Sequence, residues 1–203
     1  EDFTLQQVLE ENEVIQECKQ LNKKLIDFLA APEQVKALID YVVDEPPEDG
    51  GDKEKFIYPY KASEVLSSDL NAVYDTLFAN EEVVNKFFTF LSSAESPLNP
   101  IRAGYFTKVV STLLSRRPDE TFDVIKSKGL VPQLLLHIST YSALELLLKV
   151  VSEVEEAASL QEADFGWLYD IDLVSVLLGK LDKSLDSEVQ ANASVALVGF
   201  VSQ

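Results

Sequence analysis

The sequence predicts an all-α protein, and three observations carry that reading. Apolar residues recur at three- and four-residue steps along nearly the whole chain. Helix start and stop signals arrive roughly every 10 to 20 residues, and no stretch alternates polar and apolar as a strand would. The expected helices, about a dozen, vary in length and show no fixed ankyrin or tetratricopeptide period. A four-helix bundle would need fewer and longer elements. Irregular helix pairs stacked side by side fit best: a HEAT- or armadillo-like helical-repeat superhelix, an α-solenoid, read as a single domain over 1–203.

Thr4 with Gln7 three residues on reads as a capping box for a short first helix. Val14, Cys18, Leu21, Leu25 and Phe28 form one continuous stripe, widened by Ile15, Ile26 and Leu29. Pro32 opens the next helix at N1, and Val35, Leu38, Ile39 and Val42 are its buried face. Pro46 and Pro47 end it. Residues 44–55, DEPPEDGGDKEK, form an acidic, mobile surface loop; a calcium loop would need an EF-hand ligand spacing that is absent. FIYPY (56–60) is expected to be extended, with Pro59 forbidding a helix and the aromatics packing down as an anchor.

Ser63, Asp69, Asn80 and Asn99 all suit N-caps, with Pro100 at N1 after Asn99. Gly129 should stop a helix over 118–128. Residues 141–156 are apolar almost all round, marking a central, doubly covered helix whose Glu145, Lys149 and Glu153 can pair along one strip. The final helix starts near Ser187 and should bury Val189, Ala193, Ala196, Leu197 and Phe200. A stack needs a polar cap, so Val195, Leu197, Val198, Phe200 and Val201 predict a self-associating end.

Composition bounds the function. At 46% hydrophobic and 26% charged, the chain is ordinary globular material. Area scaling gives ~9,500 Å² folded against ~33,000 Å² unfolded, enough burial for a core without staples. One cysteine, Cys18, excludes an internal disulfide and a thiolate zinc site, and one histidine, His137, excludes most metal sites. Thirty-five acids against 17 bases give −18, which repels phosphate backbones and anionic membranes, so neither nucleic acid nor membrane insertion is expected. No basic n-region precedes an apolar stretch, and the run at 195–201 is too short to span a bilayer. A cytoplasmic setting follows, with the nucleus as a further one, and the lack of methionine at position 1 suggests a piece of something longer.

Catalytic signals are sparse. There is no Gly-x-Ser-x-Gly elbow, no phosphate-cradling glycine loop and no His-Glu-x-x-His, and no cofactor is implied. Asp170 and Asp172 read as a helix-start pair, His137 as a structural imidazole near a helix C-terminus, and Cys18 as a buried inert thiol. Asn192-Ala193-Ser194 matches a glycosylation sequon but falls inside a helix. Trp167 anchors a helix junction or serves as an interface hot spot. Charge is segregated: residues 101–137 hold six bases and three acids, while 150–179 hold seven acids and no base. Such fields steer protein partners.

Several blocks then resemble one family. IQECKQLNKKLIDFL (15–29), YPYKASEVLSS (58–68) and SPLNPIRAGYFTKVV (96–110) are similar to the SAPS proteins. So are LLLHIST (134–140), ALELLLKVVS (143–152), the Trp167-Leu168 pair and QANASVAL (190–197), in the same order. The resemblance implies a non-catalytic regulatory subunit that binds the catalytic subunit of a phosphatase-6 class, type-2A-like Ser/Thr phosphatase, with further scaffold proteins as additional partners. It also implies the N-terminal part of a longer domain, since the family domain normally continues well past position 203; an aromatic-rich segment usually precedes the first helix as well. An armadillo-type adaptor for basic peptides is the alternative, but it would carry a Trp-x-x-x-Asn ladder, and four residues after Trp167 stands Ile171. The expected partner-binding residues are Leu98, Asn99, Arg102, Tyr105 and Lys108, with Trp167. Asn99 and Pro100 have a structural role as cap and N1, which leaves Arg102 and Lys108 as the charges free to meet a partner's carboxylates.

Overall fold

The computed structural model describes residues 3–94, 97–159 and 166–201, and every regular element among them is helical. The helices are α1 (Leu5–Glu10), α2 (Val14–Lys19), α3 (Lys23–Leu29), α4 (Pro32–Val43), α5 (Tyr58–Leu66), α6 (Asn71–Ala79), α7 (Glu81–Phe88), α8 (Phe90–Ser93), α9 (Pro100–Arg116), α10 (Pro118–Lys128), α11 (Leu130–Leu136), α12 (Tyr141–Ser159), α13 (Gly166–Tyr169), α14 (Leu173–Gly179) and α15 (Ser187–Val201). A π-helical turn (Lys53–Ile57) precedes α5. In one layer α5, α9, α12 and α15 pack in succession; α4, α7, α10 and α11 lie against them as the second layer. This is an all-α helical-repeat fold.

The core is one apolar cluster running through both layers. Its aromatic centre is Phe87, which meets Phe88 edge-on at 5.1 Å and Phe106 at 5.0 Å between centroids; Phe90 stacks on Phe106 at 5.1 Å. α12 is the central helix: Ala143, Leu144, Leu146, Leu147, Val150, Val151 and Val154 are all buried, between α9 on one side and α11 and α15 on others. Lys149 pairs with Glu153 on its open strip. Where α15 crosses α12, a Cβ at Gly199 would lie 2.8 Å from Leu148 Cδ2, so the glycine permits the close approach.

Most start and stop signals act as written. Thr4 and Gln7 form the reciprocal capping box, Asn80 accepts from Val83 N–H, and Gly129 closes α10 at φ 60°. Five expectations fail for local reasons. The stripe over 14–28 is two helices, not one: Leu21 turns out at φ 58°, 62% exposed, and Asn22 caps α3 by accepting from Lys24 and Leu25 N–H. FIYPY is helical, because Pro59 falls in the first turn of α5, where no N–H is needed; Tyr58 is the buried anchor, while Phe56 and Tyr60 are exposed. Ser63 lies inside α5, its hydroxyl bonded back to the Tyr60 carbonyl, and Asp69 stands at φ 60° one residue before the true cap, Leu70. The acidic loop ends at Asp52, since the next five residues form the π-helical turn, and Lys55 ties the loop by donating to the Glu48 carbonyl at 2.9 Å.

In α15, Ala193 and Ala196 are buried, and Val189, Leu197 and Phe200 pack half-buried against the core. Val201's side chain, like Ser96 from the family-like block at 96–110, lies outside the described residues. No helix among the described residues is long and apolar enough to cross a membrane.

Candidate partner-binding surface

α9 carries most of the candidate residues, and its N-terminus is built by the Leu98-Asn99-Pro100 corner. Leu98 is buried and roots the corner in the core. Asn99 Oδ1 accepts from Ile101 N–H at 3.0 Å and Arg102 N–H at 3.3 Å, and Pro100 occupies the first turn. Leu98 is therefore held in the core, whereas Asn99 stays exposed at the rim.

Arg102 is not free. Its side chain is only 14% exposed. One terminal nitrogen donates to the Val43 carbonyl at 2.8 Å, the other pairs with Glu45, and the guanidinium lies 5.7 Å over the Phe90 ring. It clamps the end of α4 and the start of the acidic loop onto α8 and α9. A cleft of about 620 Å³ opens beside it, walled by Val43, Glu45, Phe90, Ser93, Pro97 and Asn99 among others.

Lys108 is paired as well, with Glu64 of α5, but keeps 43% of its side chain exposed. Tyr105, one turn back, is half-buried, and burial pushes its hydroxyl up from the ordinary tyrosine value. Lys108 borders a second, hydroxyl-rich groove of about 590 Å³ that follows α9 past Ser111, Thr112 and Ser115 to Arg116, with Lys149 of α12 on the far wall. Arg116 pairs with Asp69 at 3.2 Å, and Arg117 with both Asp75 and Glu120. The basic segment thus stitches α9 to acids from earlier in the chain. Sequence reasoning missed those acids because pairs 42 to 57 residues apart leave no local signal. Of its six bases, only Lys126 and Lys128 lack an ion pair among the described residues.

The remaining candidate residues singled out by the sequence lie outside both grooves. Trp167 is half-buried against the core and lines neither groove. His137 is buried at the end of α11, its Nε2 2.8 Å from the Leu91 carbonyl. Cys18 is buried, and burial pushes its thiol up to about 11, so no thiolate forms near neutral pH. Asn192 donates its amide to the Ile138 and Ser139 carbonyls, which ties up the sequon nitrogen. Asp172 caps α14 through Ser175 N–H. Among the described residues no group of His, Cys, Asp and Glu is arranged to hold a metal ion. The two grooves present hydroxyls and paired charges.

Comparison with known proteins points the same way. Residues 110–202 match the family model SAPS, SIT4 phosphatase-associated protein. Over 202 residues, 99% of this chain and 23% of each relative, the chain is 36% identical to serine/threonine-protein phosphatase 6 regulatory subunit 1 of Mus musculus and regulatory subunit 3 of Gallus gallus. It is 38% identical over 198 residues, 94% of this chain and 23% of the relative, to extragenic suppressor of kinetochore protein 1 of Schizosaccharomyces pombe. The chain spans about a quarter of the length of these relatives. No solved structure matches it. The family match and the full-chain similarities converge on the family whose motifs the sequence carries: this chain is kin to the SAPS proteins, the SIT4 phosphatase-associated family.

Proposed function

We propose that the chain is part of a non-catalytic regulatory scaffold that binds the catalytic subunit of a Ser/Thr phosphatase of the phosphatase-6 class and directs its activity. The observation that carries this is the 36% identity over 99% of the chain to phosphatase 6 regulatory subunits. The helical-repeat fold supports it, since stacked helix pairs present extended surfaces to protein partners. The contact surface on this reading is the open face of α9, where Asn99 edges one groove and Lys108 the other, with the half-buried Tyr105 between them in sequence. Lys108 can exchange Glu64 for a partner carboxylate, whereas Arg102 holds the fold and leaves only its aliphatic flank to the cleft. The setting is cytoplasmic or nuclear, where such a phosphatase would meet it. Affinity capture of the tagged chain from cell extract, with partners identified by mass spectrometry, tests the reading. A phosphatase catalytic subunit should be among the most enriched proteins; a basic-peptide cargo set without any phosphatase would favour the adaptor alternative.

A further inference from the structure

The N-terminal end holds an apolar groove that the phosphatase reading does not use. α1, α2 and α3 are six or seven residues each and bury Leu5, Leu9, Cys18 and Leu29 in the core, packing on α5 and α6. The break at Leu21 turns α3 away from α2 and leaves a groove of about 640 Å³ between the three. Its floor is Val8, Val14 and Leu25, and Phe3 stands at its edge, 59% exposed. An exposed phenylalanine over an aliphatic floor is a surface that gains by being covered.

The rim says by what. Glu10, Glu11, Glu13 and Glu17 line the groove and no base does. Glu10 is engaged by Lys53 at 2.8 Å and by the Tyr58 hydroxyl at 2.6 Å. Lys61 reaches only the Glu11 backbone carbonyl. Glu11, Glu13 and Glu17 have no ion pair among the described residues, and Glu17 only accepts from the Asn22 amide. A second copy of this chain, at −18, would bring like charge to the rim.

We propose that this groove docks a basic amphipathic helical segment of a protein partner, with aliphatic anchors on the floor and Lys or Arg against Glu11, Glu13 and Glu17. The mode is helix-in-groove recognition, in which anchors supply affinity and flanking charges supply selectivity. It goes beyond the phosphatase reading and does not depend on it.

The test is fluorescence anisotropy of the 203-residue chain with a labelled Leu/Lys peptide of about 15 residues in amphipathic order, against a scrambled peptide of equal composition. The ordered peptide should bind at least ~10-fold more tightly than the scrambled one, since only it presents an apolar face. The combined variant Glu11→Gln, Glu13→Gln, Glu17→Gln should weaken binding by about 10-fold, and Phe3→Ser several-fold. The combined variant Glu33→Gln, Asp123→Asn, Glu188→Gln removes equal charge elsewhere and should change it less than about 2-fold. Circular dichroism checks that each variant stays folded. Equal loss in the two triple variants, equal binding of the two peptides, or no binding at all would each overturn the proposal.

Discussion

Arg102 shows how a single side chain can look like a binding residue and act as a clamp. Its bond to the Val43 carbonyl, its pair with Glu45 and its place over Phe90 join three helices. Arg102→Ala should therefore lower stability by about 1–3 kcal/mol in urea denaturation, and Arg102→Lys should not restore it, because an ammonium cannot fork. Lys108→Ala, at a half-exposed pair, should cost no more than ~1 kcal/mol. A second residue-scale prediction concerns pH. Lys53 and Tyr58 hold the Glu10 carboxyl below its usual range, and the Glu10 bond pushes the Tyr58 hydroxyl up to about 12. Glu10's contribution is present above the ordinary carboxylate range of about 4 and fades as pH falls through it. Tyr58's contribution is present below about 10 and fades as pH rises toward 12. In Tyr58→Phe, the denaturation midpoint should be lower at pH 8 and fall less steeply between pH 10 and 12. An unchanged alkaline limb would remove the Tyr58–Glu10 bond from the account.

Among the elements, those whose signals are local were legible in the sequence. α4, α10, α12 and α15 announce themselves by stripe, proline, glycine or serine, and α12 is the helix on which both layers depend. Leu147→Ala there should cost about 2–5 kcal/mol, as a fully buried truncation leaves a cavity. The break between α2 and α3 was not legible, because its apolar spacing runs through Leu21 and only the backbone turn places that residue outside. Nor was the α5 start: Pro59 can forbid a helix or open one, and sequence alone does not say which turn it occupies. The candidate surface divides the same way. Asn99 was readable as a cap, whereas the loss of Arg102 to Glu45 is a tertiary fact. The acidic loop gives one further test. Limited proteolysis should cut first between Asp44 and Lys55, now most of all at 48–52, beyond the Arg102 clamp and before the π-helical turn. A first cut within α12 would contradict the packing described for it.

At the largest scale, the stack of described helices carries an apolar face on α14 and α15. Val174, Val176, Leu178, Leu181, Leu185, Val195 and Val198 on and around α14 and α15 are all exposed. The total surface, 10,916 Å², exceeds the ~9,500 Å² of a compact globule of this mass, as a side-by-side stack requires. Sedimentation velocity at rising concentration should show self-association, and Leu178→Glu with Val195→Glu should return the chain to monomer. A strictly monomeric parent chain would count against the exposed face. On the proposed function this stack binds a phosphatase catalytic subunit through α9, and biolayer interferometry with the purified phosphatase 6 catalytic subunit is its sharpest test. The parent chain should bind; Lys108→Glu should slow association and flatten its salt dependence, while Lys23→Glu with Lys24→Glu on α3 should not. No binding by the parent chain would contradict the function, and equal capture by all three would remove α9 as the contact surface.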